Sequence, residues 1–259
     1  MTARRPARLA CAALAATIAL AAPAHASLSS RREPPSPPVA PGQCVVVLHG
    51  MARSRQYMAP LEIDLERVGY AVVNKSYPTR KETIEQLAAR VDGYVQQCRD
   101  TGATRIHFVT HSLGGLVARY WLSTHALPEG GRFVMLGTPN RGSEITDRFR
   151  DQWWYRISTG PAGQQIGTGA DSLPNQLGPP PLETGVIAGI RPANDEYTEW
   201  LQGPNDGKVS VASTQMPGLA DYVLVDNSHY FLPRSRLALR QVRVFLETGR
   251  FEHVPLPPR

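Results

Sequence analysis

The stretch from Arg105 to Ala118, Arg-Ile-His-Phe-Val-Thr-His-Ser-Leu-Gly-Gly-Leu-Val-Ala, leaves this chain few folds to choose from. A short apolar run (Ile106, Phe108, Val109) stops at Thr110-His111-Ser112-Leu113-Gly114-Gly115. Leu116, Val117, Tyr120 and Trp121 then recur at helical spacing. Strand, one-residue corner and helix, in that order, make the layout of a nucleophile elbow, where a strained backbone pushes a serine out of the turn. Residues two before and two after that serine come close together, which is the steric reason for Gly114; Thr110 stands where a first glycine is usual. Taken alone, the segment reads equally well as a helix capped by Ser112, because serine satisfies the free N–H groups of a helix start. Its partners elsewhere in the chain weigh against that.

On either side, apolar runs and helical patterns alternate. Cys44-Val45-Val46-Val47-Leu48 is a continuous run, as a strand buried on both faces requires. A helix through Met58, Leu61, Ile63 and Leu65 follows, closed by Gly69. After the run Ala71-Val72-Val73, Thr79 to Glu82 fits a capping box ahead of a helix carrying Ile84, Leu87, Ala88, Val91, Tyr94 and Val95. Phe133 to Leu136, Thr184 to Ile190 and Tyr222 to Val225 are further strands, and a helix through Leu237, Val242 and Phe245 closes the chain. The predicted class is α/β, a mostly parallel central sheet with helices on both faces.

The chain ends set the context. Arg4, Arg5 and Arg8, an apolar segment too short to span a bilayer, and Ala24-His25-Ala26 make residues 1–26 a predicted secretory signal peptide, cut after Ala26. The expected location is therefore secreted or periplasmic. Residues 27–42 hold Pro34, Pro35, Pro37, Pro38 and Pro41 and read as an extended linker. One domain over 43–250 and a tail over 251–259 remain. The net charge of +6 includes three signal-peptide arginines, so the mature chain carries +3, 25 basic against 22 acidic residues. With no basic run, no nucleic-acid partner is expected. Cys44 and Cys98 are the two cysteines left after cleavage. One opens a strand and the other ends a helix running back, so both fall at one edge of a parallel sheet, and a disulfide is expected in an oxidising compartment.

Ligands of parallel sheets gather at the carboxyl ends of the strands. Ser112 lies at such an end, and so does His49-Gly50-Met51. The N–H groups of Met51 and Leu113 are the predicted oxyanion hole, with Gly50 letting its loop approach closely. His229 is the one histidine after Ser112 placed just past a strand; His125 lies near a helix end and His253 in the tail. His49 and His111 are expected to shape the site rather than react. No histidine or cysteine cluster has metal spacing and no loop has a nucleotide pattern, so neither metal nor cofactor is expected.

Leu-His-Gly-Met (48–51), Thr-His-Ser-Leu-Gly-Gly (110–115) and Leu-Gly-Thr-Pro-Asn-Arg-Gly-Ser (136–143) together resemble the α/β-hydrolase superfamily, most of all its bacterial secreted lipases and esterases. The resemblance implies that Asp206, in Asn205-Asp206-Gly207 after the penultimate strand, is the triad acid; Asp195, Asp221 and Asp226 compete for that place. Ser112, Asp206 and His229 would then be the catalytic residues, in the superfamily's chain order. It also implies that the Gly- and Pro-rich insert over about 141–185 is a cap, with Trp153 and Trp154 either lining an acyl pocket or anchoring the cap. The implied function is hydrolysis of carboxylic esters through an acyl-enzyme. The substrate is a small-molecule or lipid ester of short to medium chain, with transient contact with a lipid interface. The alternatives are acyl transfer or amide cleavage by the same triad, and a non-catalytic binding protein of the same fold.

Overall fold

The computed structural model describes residues 41–253. The expected signal peptide, the linker as far as residue 40 and the tail from residue 254 lie outside them. The order is β1 (Gln43–Leu48), α1 (Arg55–Arg67), β2 (Ala71–Asn74), α2 (Ile84–Ala88), α3 (Val91–Asp100), β3 (Arg105–His111), α4 (Leu113–Thr124) and β4 (Arg132–Leu136). Then come α5 (Glu144–Phe149), α6 (Trp153–Gln164), α7 (Leu173–Gln176), β5 (Glu183–Gly189), α8 (Val211–Thr214), β6 (Asp221–Val225) and α9 (Arg236–Thr248). The six strands form one sheet in the order β2-β1-β3-β4-β5-β6, and every pairing is parallel.

Alternate side chains of each strand feed two cores. Val46, Leu48, Phe108 and Phe133 pack against α2, α3 and α4 on one face. Val45, Val47, Val109 and Val134 pack against α1 and α9 on the other. Both faces are covered, which is why the strands read as unbroken apolar runs. Cys44, at the amino end of β1, is bonded to Cys98 in the last turn of α3, their Cα atoms 5.6 Å apart. The bond ties helix to sheet at the end remote from Ser112.

Local details differ from expectation. The capping box belongs to Thr83 and Gln86, while the Thr79 hydroxyl accepts a hydrogen bond from Ala52 N–H at 2.9 Å. One predicted helix is two, α2 and α3, separated at Ala89-Arg90. Ile63 is 54% exposed, because the buried face of α1 runs through Tyr57, Met58, Leu61 and Leu65.

His107, buried within β3, accepts from Arg132 N–H at Nδ1 (3.0 Å) and donates from Nε2 to Gln43 Oε1 (2.8 Å), the pattern of a neutral ring. Burial, reinforced by Arg105 and Arg132, lowers its pKa to about 3. Unfolded chains protonate this histidine as pH falls through 6.5, whereas the folded one stays neutral down to about 3. The unfolded state therefore binds more protons in that window, and stability drops as pH drops. Between pH 7 and pH 5 this one group is expected to remove about 2 kcal/mol. Urea unfolding should show it, with His107→Gln flattening the pH dependence by about that amount; an unchanged slope contradicts the assignment.

Candidate active site

Ser112 stands between β3 and α4 with φ 54° and ψ −124°. It and Ala52 are the two non-glycine residues with positive φ among the described residues. Its side chain makes no capping bond to the helix, so the strain is not explained by a cap. The corner is held from behind: Ser112 N–H donates to Leu136 O at 2.9 Å, and the Thr138 hydroxyl donates to Ser112 O at 3.1 Å. Gly114 lets the first turn of α4 lie on β1, since a Cβ there would meet Leu48 O at 2.5 Å. Thr110, at the usual first-glycine position, is fully buried without such a conflict.

Asp206 and His229 come from loops after β5 and β6 and line the same cavity as Ser112. Asp206 is 1% exposed. Its Oδ1 accepts from Lys208 N–H (3.0 Å) and Val209 N–H (2.8 Å), an Asx-type turn that fixes the carboxylate. Its Oδ2 is left for His229 Nδ1, 2.7 Å away. His229 N–H also donates to Asp206 O at 2.9 Å, so the two loops are joined by backbone as well. The ring's Nε2 faces no acceptor among the described residues, and Ser112 Oγ is in no hydrogen bond. Both residues line one cavity of about 490 Å³. The competing carboxylates are engaged elsewhere: Asp221 with Phe251 N–H and His253, and Asp226 with Arg191 at 3.5 Å. Asp195 is exposed.

Gly137, with φ 57°, sits against the pair; a Cβ there would lie 3.0 Å from Asp206 Oδ2 and 3.1 Å from His229 Nδ1. Gly137→Ala should push the two side chains out of register. The expected loss in kcat is about 100-fold, with about 1 kcal/mol of stability from backbone strain. Ester kinetics beside a denaturant titration separate the two effects, and unchanged kcat would show that the pair has no part in turnover.

His49 and His111 adjoin the cavity and are held by hydrogen bonds. His49 Nδ1–H donates to Gly50 O at 2.9 Å and its Nε2 accepts from Tyr77 N–H at 3.2 Å. The ring stacks on Tyr77 at 4.1 Å. Gly50 C=O and Met51 N–H belong to one rigid peptide, so His49 orients the Met51 donor. Leu113 N–H, at the first position of α4, has no intrahelical partner. Met51 and Leu113 both line the cavity. His111 donates from Nε2 to His229 O at 3.0 Å and lies 4.6 Å from that ring. Burial keeps the pKa of His49 below the ordinary value. Burial first, then the neighbouring His229, keeps that of His111 well below it.

The insert after β4 forms α5, α6 and α7, with α6 kinked at Gly160 (φ 63°, ψ −165°). Trp154 and Tyr155 line the cavity, and Trp154 also packs on Phe149 at 5.3 Å, so it both lines and anchors. Trp153 does neither and is 72% exposed. A wall with no signal in the sequence comes from the irregular segment after β5. Tyr197 and Glu196 line the cavity there, and Tyr197 packs edge-on against Phe149 at 6.1 Å. Arg53, Tyr57 and Tyr230 complete the rim. Among the described residues no group of histidine, cysteine or acidic side chains could hold a metal ion.

Residues 41–146 match the family model described as "Putative serine esterase (DUF676)". Triacylglycerol lipases of Pseudarthrobacter phenanthrenivorans and Burkholderia plantarii are each 30% identical over 128 residues, 46% of this chain and 39% and 34% of those proteins. The match thus spans well under half the length of these relatives. A Bacillus licheniformis lipase in its mature form superimposes with a TM-score of 0.69 at 18% identity, covering 84% of this chain and 96% of that one. At that identity the likeness speaks for the fold. The parallel sheet, the strained serine corner and the Bacillus licheniformis superposition give the chain the α/β-hydrolase fold.

Proposed function

We propose that this protein is a serine hydrolase of carboxylic esters, working through an acyl-enzyme on Ser112. The observation that carries the reading is the 2.7 Å bond from His229 Nδ1 to a buried Asp206, in a cavity that Ser112 also lines. Asp206 holds His229 in the tautomer whose free Nε2 acts as base. As Ser112 Oγ attacks the ester carbonyl, His229 takes its proton. The oxygen that becomes negative is met by the N–H groups of Met51 and Leu113, each able to supply a few kcal/mol. Collapse expels the alcohol, which takes the proton from His229, and leaves the acyl group on Ser112. Water, deprotonated by the same ring, then releases the acid.

The substrate follows from the walls. Leu113, Ile145, Trp154 and Ile166 offer an apolar side for an acyl chain, and the names of the lipase relatives point to lipid esters. The compact insert favours short to medium chains. Exposed Trp153 (72%) and Ile157 (70%) lie on α6 beside the rim, where a lipid surface would meet them. Export would bring Cys44 and Cys98 to an oxidising compartment, the mature chain starting at Ser27 after cleavage behind Ala26. A p-nitrophenyl ester panel tests the substrate reading: cleavage should peak at short to medium acyl length and vanish after fluorophosphonate treatment. Activity restricted to long-chain emulsions overturns the chain-length reading, and activity that survives the inhibitor overturns the serine mechanism.

A further inference from the structure

The rim on the His229 side is cationic, and its charge is poorly matched. The Arg53 guanidinium lies 5.1 Å from the Tyr57 ring centre and 5.2 Å from that of Tyr230. Arg234 approaches the same rings at 5.0 and 5.2 Å. Neither arginine has a carboxylate within ion-pair distance among the described residues. The aromatic faces hold these guanidinium groups in place, and Arg53 also hydrogen-bonds to the Tyr57 hydroxyl. Lys208 stands across the cavity, its Nζ 3.5 Å from the Tyr197 ring and 3.7 Å from Glu196. Burial chiefly holds its ammonium below the ordinary range, against the pull of Glu196 and Asp206 and with Arg53 adding repulsion. Like charges set around one opening repel each other until an anion enters between them.

Position says which part of an ester would bring that anion. Arg53 rests on Tyr230, the residue after His229, and Lys208 lies two residues past Asp206. His229 hands its proton to the departing alcohol, so groups beside it face the alcohol portion of the substrate.

We infer that the esters this site prefers carry an anionic group, carboxylate or phosphate, on the alcohol portion, held by Arg53 and Lys208. The inference rests on the assignment of Ser112 and His229 made above. A guanidinium fork fits both anions with paired hydrogen bonds. The neutral triacylglycerols named for the relatives have no such group, so the rim sets this chain's preference apart from theirs.

Butanoyl esters of 4-hydroxybenzoate and of its methyl ester differ by one negative charge on the alcohol side. The ratio of kcat/KM for the anionic over the neutral ester should fall about tenfold in Arg53→Gln. It should fall further when Lys208→Gln is added, recover in Arg53→Lys, and shrink with added salt. A ratio that is the same in all variants overturns the inference. Calorimetric titration of Ser112→Ala protein with the two esters needs no turnover. There the anionic ester should bind more tightly, and Arg53→Gln should remove the difference; binding indifferent to charge overturns the inference. Failure of the wild type to cleave either ester would sink the hydrolase assignment alone, and the titration would still judge the rim. Phosphatidylglycerol against phosphatidylcholine vesicles distinguishes the source. A headgroup preference lost in Arg53→Gln assigns the rim to anionic lipids, and a preference confined to the soluble pair assigns it to small anionic esters.

Discussion

Replacing Ser112 by alanine is expected to lower kcat on p-nitrophenyl butyrate by about four to six orders of magnitude. The loss follows from what the remaining groups can do. His229 and Asp206 would still be paired at 2.7 Å, and Met51 and Leu113 would still line the cavity. With no atom to carry the acyl group, only residual catalysis by binding and the oxyanion donors is left. The fold should survive, because Ser112 Oγ is in no hydrogen bond among the described residues and the corner is held by Ser112 N–H on Leu136 O and by the Thr138 hydroxyl on Ser112 O. Alanine at a positive φ bears strain of about 1 kcal/mol, as serine already does, so the substitution adds little. Circular dichroism and urea unfolding of the variant verify this. A variant keeping more than about one hundredth of wild-type kcat would place the chemistry elsewhere.

The second large effect is on stability. Cys44 and Cys98 close a loop of 54 residues between β1 and α3. In the chain-entropy account such a loop restricts the unfolded chain by about 4 kcal/mol. Both cysteines are fully buried, so a Cys44→Ala/Cys98→Ala pair keeps the core apolar and isolates the cross-link better than serine would. The expected result is a loss of about 4 kcal/mol in unfolding free energy with kcat nearly unchanged, since the bond lies at the amino ends of the strands. Such a loss is a large part of the whole for a domain of marginal stability. Equal stability of the double variant and the oxidised protein would show that the bond does not form in the folded chain.

Much of the fold was legible because the sheet is buried on both faces. Each of the six strands announces itself as an apolar run, and the corner at Ser112 is marked by the small residues that packing on Leu48 demands. His229 could be proposed because it follows a strand and Asp206 because of the family resemblance; the two are bonded at 2.7 Å and line a cavity that Ser112 also lines. Other features carried no periodic signal. The break at Ala89-Arg90 interrupts an unbroken apolar face, so pattern alone runs the two helices together. The capping box shifted because Thr79 is engaged by Ala52, a contact across 27 residues. Tyr197 and Glu196 reach the cavity from an irregular segment, and Arg53 is a single charge in a loop. What places them is aromatic packing on Phe149, Tyr57 and Tyr230, and tertiary contacts of that kind leave no trace in spacing.

The central claim is that the acyl group passes through Ser112. Rapid acid quench during turnover of p-nitrophenyl butyrate, followed by peptide mass mapping, tests it most directly. The account predicts one butanoyl group on the peptide containing Ser112, absent from the Ser112→Ala protein and lost on standing at neutral pH. A butanoyl group on another residue, or steady ester cleavage with no acylated peptide at any quench time, would contradict it.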